Sequence, residues 1–430
     1  MPEVLTASRV MTGAETVTDG AVVIGDRTMD WVGPVSALPA EYLPLPQASY
    51  PGSTIMPGLI DSHVHLGFDG GPNPAARMRA ETDEQQLMLM LHSARELLGV
   101  GVTTARDLGA RGYLAVAVRD AIAAGLARGP RLVVAACPVT VTGGHCWFMG
   151  GEADSEDDLR RLVRTHHKHG ADLIKVMSTG GFMTTGSAPW YAQFTSAQLA
   201  VIVEEAARVD KPVAAHAHGT EGIRRAVDAG VTTIEHCSFV TETNERCFSE
   251  ALAARIAERG MFVCPTISGN APYVAELTGI VVGAHAKAMH EMGVRIIAGT
   301  DAGVDNNPHH QYVGGLEYLV TLGFQPAQVL AMATAEAAAA LGLGAITGRL
   351  APGYEADLLV VDGDPQADIA VLRELRRVIA RGRDYVPDSG RFDVSAPGSP
   401  FASPDQAVDL RLLTEATRRH NPAQPGRQPP

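Results

Sequence analysis

The chain has 430 residues, 46% of them hydrophobic, and a formal net charge of −13, which excludes nucleic acid as an expected partner because phosphate binding needs basic clusters. Its five cysteines, Cys137, Cys146, Cys237, Cys247 and Cys264, form no Cys-x-x-Cys pair, so neither a disulfide framework nor a thiolate zinc site is expected. No apolar run reaches the roughly eighteen residues of a membrane span, and the start, Met1-Pro2-Glu3-Val4-Leu5, lacks the features of a secretory leader; a cytoplasmic protein without membrane contact is expected.

Residues 1–55 read as short strands, such as 21–25 and 29–33, bounded by glycines and acidic turns. At Pro57-Gly58 a turn leads into Leu59-Ile60-Asp61-Ser62-His63-Val64-His65, an apolar strand that ends in two histidines. Residues i and i+2 of a strand face the same way, so His63 and His65 project side by side. From 56 to 345 short apolar strands alternate with helical stretches, the signature of βα units. The strands end at His65, Asp107, Ala136, Lys175, His216, His236, Thr266 and Asp301, and eight such units make a TIM barrel. Helices are expected at 84–100, 113–127, 155–169, 196–209, 222–229, 244–259 and 326–341. Strand character returns at 356–362 and 377–383, and these strands are expected to pair with the N-terminal ones. The predicted architecture is therefore a barrel over 56–345 and a small composite β-sandwich domain from 1–55 and 346–386. The tail, 387–430, is rich in proline and carries one helical pattern at 404–419.

Barrel enzymes place their chemistry at the C-terminal ends of the strands. Here those ends carry His63, His65, Lys175, His216, His218, His236 and Asp301. Each follows an apolar run, and a buried charge needs a partner. Histidines, a lysine and an aspartate on one face satisfy each other best around cations. Lys175 fits only as a neutral amine, because an ammonium would be repelled. A buried amine can take up carbon dioxide and become a carbamate, an anionic ligand with two oxygens. The alternative is a salt bridge from Lys175 to Asp301 or Glu235.

These motifs resemble the amidohydrolase superfamily. They are Pro57-Gly58-Leu59-Ile60-Asp61-Ser62-His63-Val64-His65, Asp172-Leu173-Ile174-Lys175, Ala215-His216-Ala217-His218-Gly219, Ile234-Glu235-His236, Gly299-Thr300-Asp301 and Pro352-Gly353-Tyr354-Glu355-Ala356-Asp357-Leu358. Within the superfamily the chain is similar to the branch of prolidase-like and ochratoxin-degrading amide hydrolases with a carboxylated lysine. The resemblance implies two divalent metal ions, usually zinc. His63, His65 and Asp301 would hold one, His216 and His236 the other, and carbamylated Lys175 would bridge them. A bridging hydroxide would be the nucleophile and Asp301 the proton shuttle. Strand alternation leaves His216 and His218 competing for one ligand position; the family pattern puts the ligand at His216 and leaves His218 for substrate. His145, in the Gly-rich loop Thr142-Gly143-Gly144-His145, would assist in stabilising the oxyanion. The long loop after Lys175 carries Trp190 and Tyr191 and is expected to contact substrate, with Tyr191 as a binding residue.

The expected substrate is a small amide: a dipeptide, an N-acyl amino acid or an aryl amide. The expected assembly is a homo-oligomer. Two alternatives are a non-catalytic scaffold on this fold and a hydrolase of a cyclic, imidazolone-type amide. Scaffolds lose ligands, whereas every ligand position is filled here. The one-metal cyclic-substrate branch lacks the lysine at the position of Lys175.

Overall fold

A computed structural model describes residues 2–386 except residue 244. The helical pattern expected at 404–419 lies outside the described residues. Four strands lead the chain: β1 (Glu3–Met11), β2 (Thr16–Ile24), β3 (Met29–Pro34) and β4 (Gln47–Pro57). Eight parallel barrel strands follow: β5 (Leu59–Val64), β6 (Val102–Asp107), β7 (Arg131–Val134), β8 (Ile174–Met177), β9 (Val213–Gly219), β10 (Thr233–Val240), β11 (Phe262–Cys264) and β12 (Arg295–Ile296). The last three are β13 (Leu358–Asp362), β14 (Leu375–Ala380) and β15 (Arg383–Tyr385).

The barrel strands pair as β5-β6-β7 and β8-β9-β10-β11-β12. Two seams join these groups into a ring. Val139 bridges to Val176 beside β8, with the Val139 amide donating to the Lys175 carbonyl at 2.8 Å. On the other side Val64 bridges to Ala302, and the Asp301 amide donates to the His63 carbonyl at 2.8 Å. The second seam sets Asp301 beside the two histidines of β5.

Strands from both chain ends form one seven-stranded sheet, ordered β15-β14-β13-β4-β1-β2-β3. Its alternation serves two cores. Leu5, Val22, Ile55, Leu358, Val360 and Ile379 bury one face in the sheet's own core. Met56, Leu359, Val361 and Val378 turn the other way and join the core of the barrel. Arg131 beneath the barrel pairs with both Glu355 and Asp357 at 2.7 Å, which ties the two layers electrostatically.

The helices have clear local causes. Asp83–Gly99, Glu156–Lys168 and Ser196–Ala207 each begin with a reciprocal capping box, at Thr82, Ser155 and Thr195. The helix expected at 244–259 begins only at Glu250, where the Ser249 hydroxyl caps the Leu252 amide. The helix expected at 326–341 is two helices, Pro326–Met332 and Ala335–Ala340. The break follows from borrowed carbonyls: those of Met332 and Ala333 accept the amides of Ala298 and Ile60 from the barrel wall. No described helix is long and apolar enough to cross a membrane.

Candidate active site

His63 is the penultimate residue of β5 and His65 lies just beyond the strand, with ring centroids 5.3 Å apart. Asp301 Oδ1 stands 3.3 Å from His63 Nε2 and 3.1 Å from His65 Nε2. His216 and His218 project together from β9, and His236 joins them from β10 with centroids 4.6 and 4.3 Å away. Among the described residues, two of three donor groups with ligand atoms within 4.8 Å share a histidine: His63, His236 and Asp301, and His216, His218 and His236. His236 belongs to both, so the groups adjoin.

Backbone strain makes this possible. His236 has φ +67° and Asp301 has φ +60°, a left-handed region that residues other than glycine adopt uncommonly. Glu235 and His236 are neighbours, and a regular strand would point them to opposite faces. The left-handed turn at His236 lets both face the barrel axis.

The hydrogen bonds fix four imidazole tautomers. His65 Nδ1 donates to the Gly109 carbonyl at 3.0 Å, and His216 Nε2 donates to the Gly180 carbonyl at 2.9 Å. His236 Nδ1 lies 2.8 Å from the Thr266 hydroxyl, whose own hydrogen goes to the Pro265 carbonyl, so the imidazole must donate. His63 Nδ1 donates to Glu235 Oε2 at 2.9 Å. In the neutral rings, each opposite nitrogen then holds a lone pair. Those of His63 and His65 face the Asp301 carboxylate, a repulsive arrangement unless a proton or cation lies between them. His63 Nε2 is buried without a hydrogen-bond partner. Asp301 raises the pKa of His65 against the opposing effect of burial, so a bound cation would replace a shared proton. Burial would raise the carboxyl of Asp301, but the imidazoles of His63 and His65 hold it well below the usual range. Imidazole nitrogens and carboxylate oxygen suit a divalent cation of the zinc type, so these residues can hold a metal ion.

His218 differs. Its Nδ1 meets the Ser238 hydroxyl at 2.7 Å, a partner able to donate or accept, so its tautomer is free to change. Its ring also meets the half-exposed Phe182 at 5.1 Å, on the side of the mouth. Burial holds its pKa down to about 3, so it is neutral at ordinary pH. His145 is likewise buried, with its pKa lowered to about 3 mainly by desolvation, and it stands 4.7 Å from the His216 ring. Its Nδ1 has no hydrogen-bond partner.

Lys175 on β8 is 1% exposed, and burial lowers its pKa against the fields of Glu235 and Asp301. Among the described residues it forms no ion pair with either carboxylate, because Glu235 is taken by Arg106 and His63. The alternative of a Lys175 salt bridge is therefore not what forms.

Tyr191 is not brought to the cluster: its side chain is exposed and packs on Trp190 at 5.9 Å. Its backbone matters more, since its carbonyl accepts the Gly180 amide at 2.9 Å and so steadies the residue that holds His216. Sequence reasoning missed Gln193, which pins the same loop by accepting the His145 amide at 2.7 Å and donating to the Met177 carbonyl at 2.9 Å.

An eight-stranded barrel with metal-ligating groups at its C-terminal strand ends defines a metal-dependent hydrolase scaffold. The profile of the amidohydrolase family matches residues 54–383, and the chain belongs to that family. It is a hydrolase of amide carbon–nitrogen bonds. Ochratoxinase of Aspergillus niger is 31% identical over 399 residues, covering 85% of this chain and 82% of the relative. Imidazolonepropionase of Ruegeria sp. (strain TM1040) is 28% identical over 384 residues, covering 82% and 89%. The crystal structure of a Xaa-Pro dipeptidase with methionine in its active site superposes with a TM-score of 0.81 at 28% identity, over 90% of this chain and 100% of that one. The A. niger ochratoxinase structure gives 0.79 at 28% identity, over 93% and 99%.

Proposed function

We propose that this protein hydrolyses the amide bond of a small molecule, a dipeptide, an N-acyl amino acid or an aryl amide, at a centre of two divalent cations, zinc by preference. The observation that carries the reading is the set of four imidazoles whose N–H groups are already committed to acceptors. Such rings keep a lone pair ready for a cation and need no tautomer change on binding. His63, His65 and Asp301 would hold one ion, and His216 and His236 the other. Lys175, buried and in no ion pair among the described residues, would be a further ligand as its carbamate. It also favours this reading over the one-metal hydrolysis of cyclic amides.

When bound, the cations acidify a water to serve as nucleophile and polarise the scissile carbonyl. Asp301, ionised at neutral pH, accepts the proton of that nucleophile and passes it to the leaving nitrogen. His218 and His145, both neutral, offer N–H groups to the oxyanion and orient the carbonyl. Phe182, beside His218 at the mouth, gives an apolar wall for the group next to the amide.

The test is an amide panel on zinc-loaded protein, run with elemental analysis. Close to two divalent cations per chain are expected after reconstitution with bicarbonate. One cation or none would defeat the two-ion centre, and loaded protein inert across the panel would defeat the substrate class.

His216→Asn is expected to lower cation content. The same change at His218 should leave the cations bound and reduce turnover about tenfold to a hundredfold, the scale of a lost oxyanion donor or less. Loss of cation only in the His218 variant would reverse the assignment of the pair.

A further inference from the structure

Of the four committed imidazoles, three give their N–H to neutral acceptors: the Gly109 carbonyl, the Gly180 carbonyl and the Thr266 hydroxyl. His63 alone gives its N–H to a carboxylate, that of Glu235. Both are fully buried, with side-chain exposures of 1% and 0%. The other Glu235 oxygen accepts from Arg106 Nη2 at 2.9 Å and from the Thr233 hydroxyl. Arg106 is committed to the same assembly, with Nη1 on the Thr233 hydroxyl at 3.1 Å and Nε on the Ser62 carbonyl at 2.6 Å. Ser62 is the residue before His63. One guanidinium thus fixes both the backbone leading to His63 and the carboxylate that orients its ring.

We infer that Glu235, held by Arg106, is the positioning residue that locks His63 with its proton on Nδ1 and its lone pair aimed at the cation. A carboxylate acceptor also makes the imidazole more basic and a better ligand. The role of Arg106 follows from charge. An unpaired buried carboxylate is costly, and Arg106 is the cation that meets Glu235 directly, beside the His63 N–H and the more distant charge of Lys175. By pairing with Glu235 from below, Arg106 keeps the carboxylate turned to His63.

This inference rests on the reading of His63 as a cation ligand. The discriminating variant is Glu235→Gln, almost unchanged in shape. Arg106 is donor-only, so the amide oxygen must face the guanidinium and the amide nitrogen must face His63. That nitrogen donates, so His63 would have to accept at Nδ1 and carry its proton on Nε2, the nitrogen that should face the cation. Zinc alone is the probe, titrated against a chelator into apo-protein, with far-UV circular dichroism reporting folding and 15N-histidine spectra reporting the His63 tautomer. Expected are an Nδ1–H His63 in the parent, an Nε2–H His63 in Glu235→Gln, and a tenfold to hundredfold weaker zinc affinity at one site, the scale seen for outer-shell partners. Glu235→Asp, which keeps a carboxylate, should recover part of the affinity. His63→Asn serves as the reference for the spectral assignment. If His63→Asn leaves zinc affinity unchanged, the ligand reading itself fails. If His63→Asn weakens binding but a folded Glu235→Gln neither moves the tautomer nor lowers affinity, the positioning role is overturned. Should Glu235→Gln not fold, an Nε2–H tautomer in apo parent protein overturns it equally.

Discussion

Replacing Lys175 by alanine is expected to strip the protein of bound cations and to lower amide turnover by more than about a hundredfold, beyond the loss seen for outer-shell partners alone. The reason lies in what surrounds the side chain. Lys175 lies on β8, is 1% exposed, and its charge is felt by His216 and His236 and by Asp301. Neither Asp301 nor Glu235 pairs with it directly, and burial outweighs the fields of both carboxylates, so the neutral amine is favoured over its ordinary state. On the proposed reading its carbamate would supply the anionic ligand that two cations need. Alanine removes both oxygens and leaves a cavity large enough for a small acid. Formate, acetate or propionate should therefore restore part of the cation content and part of the turnover. Elemental analysis and rate measurements with and without added acid check both. A Lys175→Ala protein with full cation content and unchanged turnover would remove the lysine from the centre.

Asp301→Asn is expected to cut amide turnover by about a hundredfold or more, within the range of lost general acid–base catalysis. It should cut turnover of a nitrophenyl ester less. An amine leaves poorly unless protonated, whereas nitrophenolate needs no proton. On the proposed reading Asp301 would have both duties: Oδ1 faces His63 and His65, which would leave the other oxygen for the proton. Strain at φ +60° holds the carboxylate there. Parallel rates on both substrates, at measured cation content, decide the matter. Equal losses at unchanged content would make Asp301 a ligand only.

The barrel is legible in the sequence because its strands are apolar runs that end in ionisable residues, and a chain can bury so many such ends only where they converge on one another. The convergence of His63, His65, Lys175, His216, His236 and Asp301 follows from that rhythm. The features hidden from the sequence are those set by contacts distant along the chain. Arg106 sits one residue before Asp107, the apparent strand end, and only the ring of strands shows that it faces Glu235. Alternation would turn Glu235 away from His236, and no side-chain pattern announces the left-handed backbone that overrides it. The division of the helix expected at 326–341 depends on amides from Ile60 and Ala298 that claim its carbonyls. Tyr191 reads as a contact residue because it is aromatic on a long loop; its backbone does the bonding and its ring faces outward.

The seven-stranded sheet sets an order of events during synthesis. β4 pairs with β1 on one side and with β13 on the other, where Ile55 lies opposite Val360. The ribosome makes β4 before the barrel and β13 after it. Through all of barrel synthesis the nascent chain carries an open apolar strand edge, the kind of surface that invites pairing with another chain. The edge closes only when the last strands emerge, by contacts of very long sequence separation, which are slow to form. A ribosome that stalls before β13 thus releases a barrel with an adhesive flank. Yield on expression should depend more on chaperone supply and on intact C-terminal strands than on the final stability of the folded enzyme.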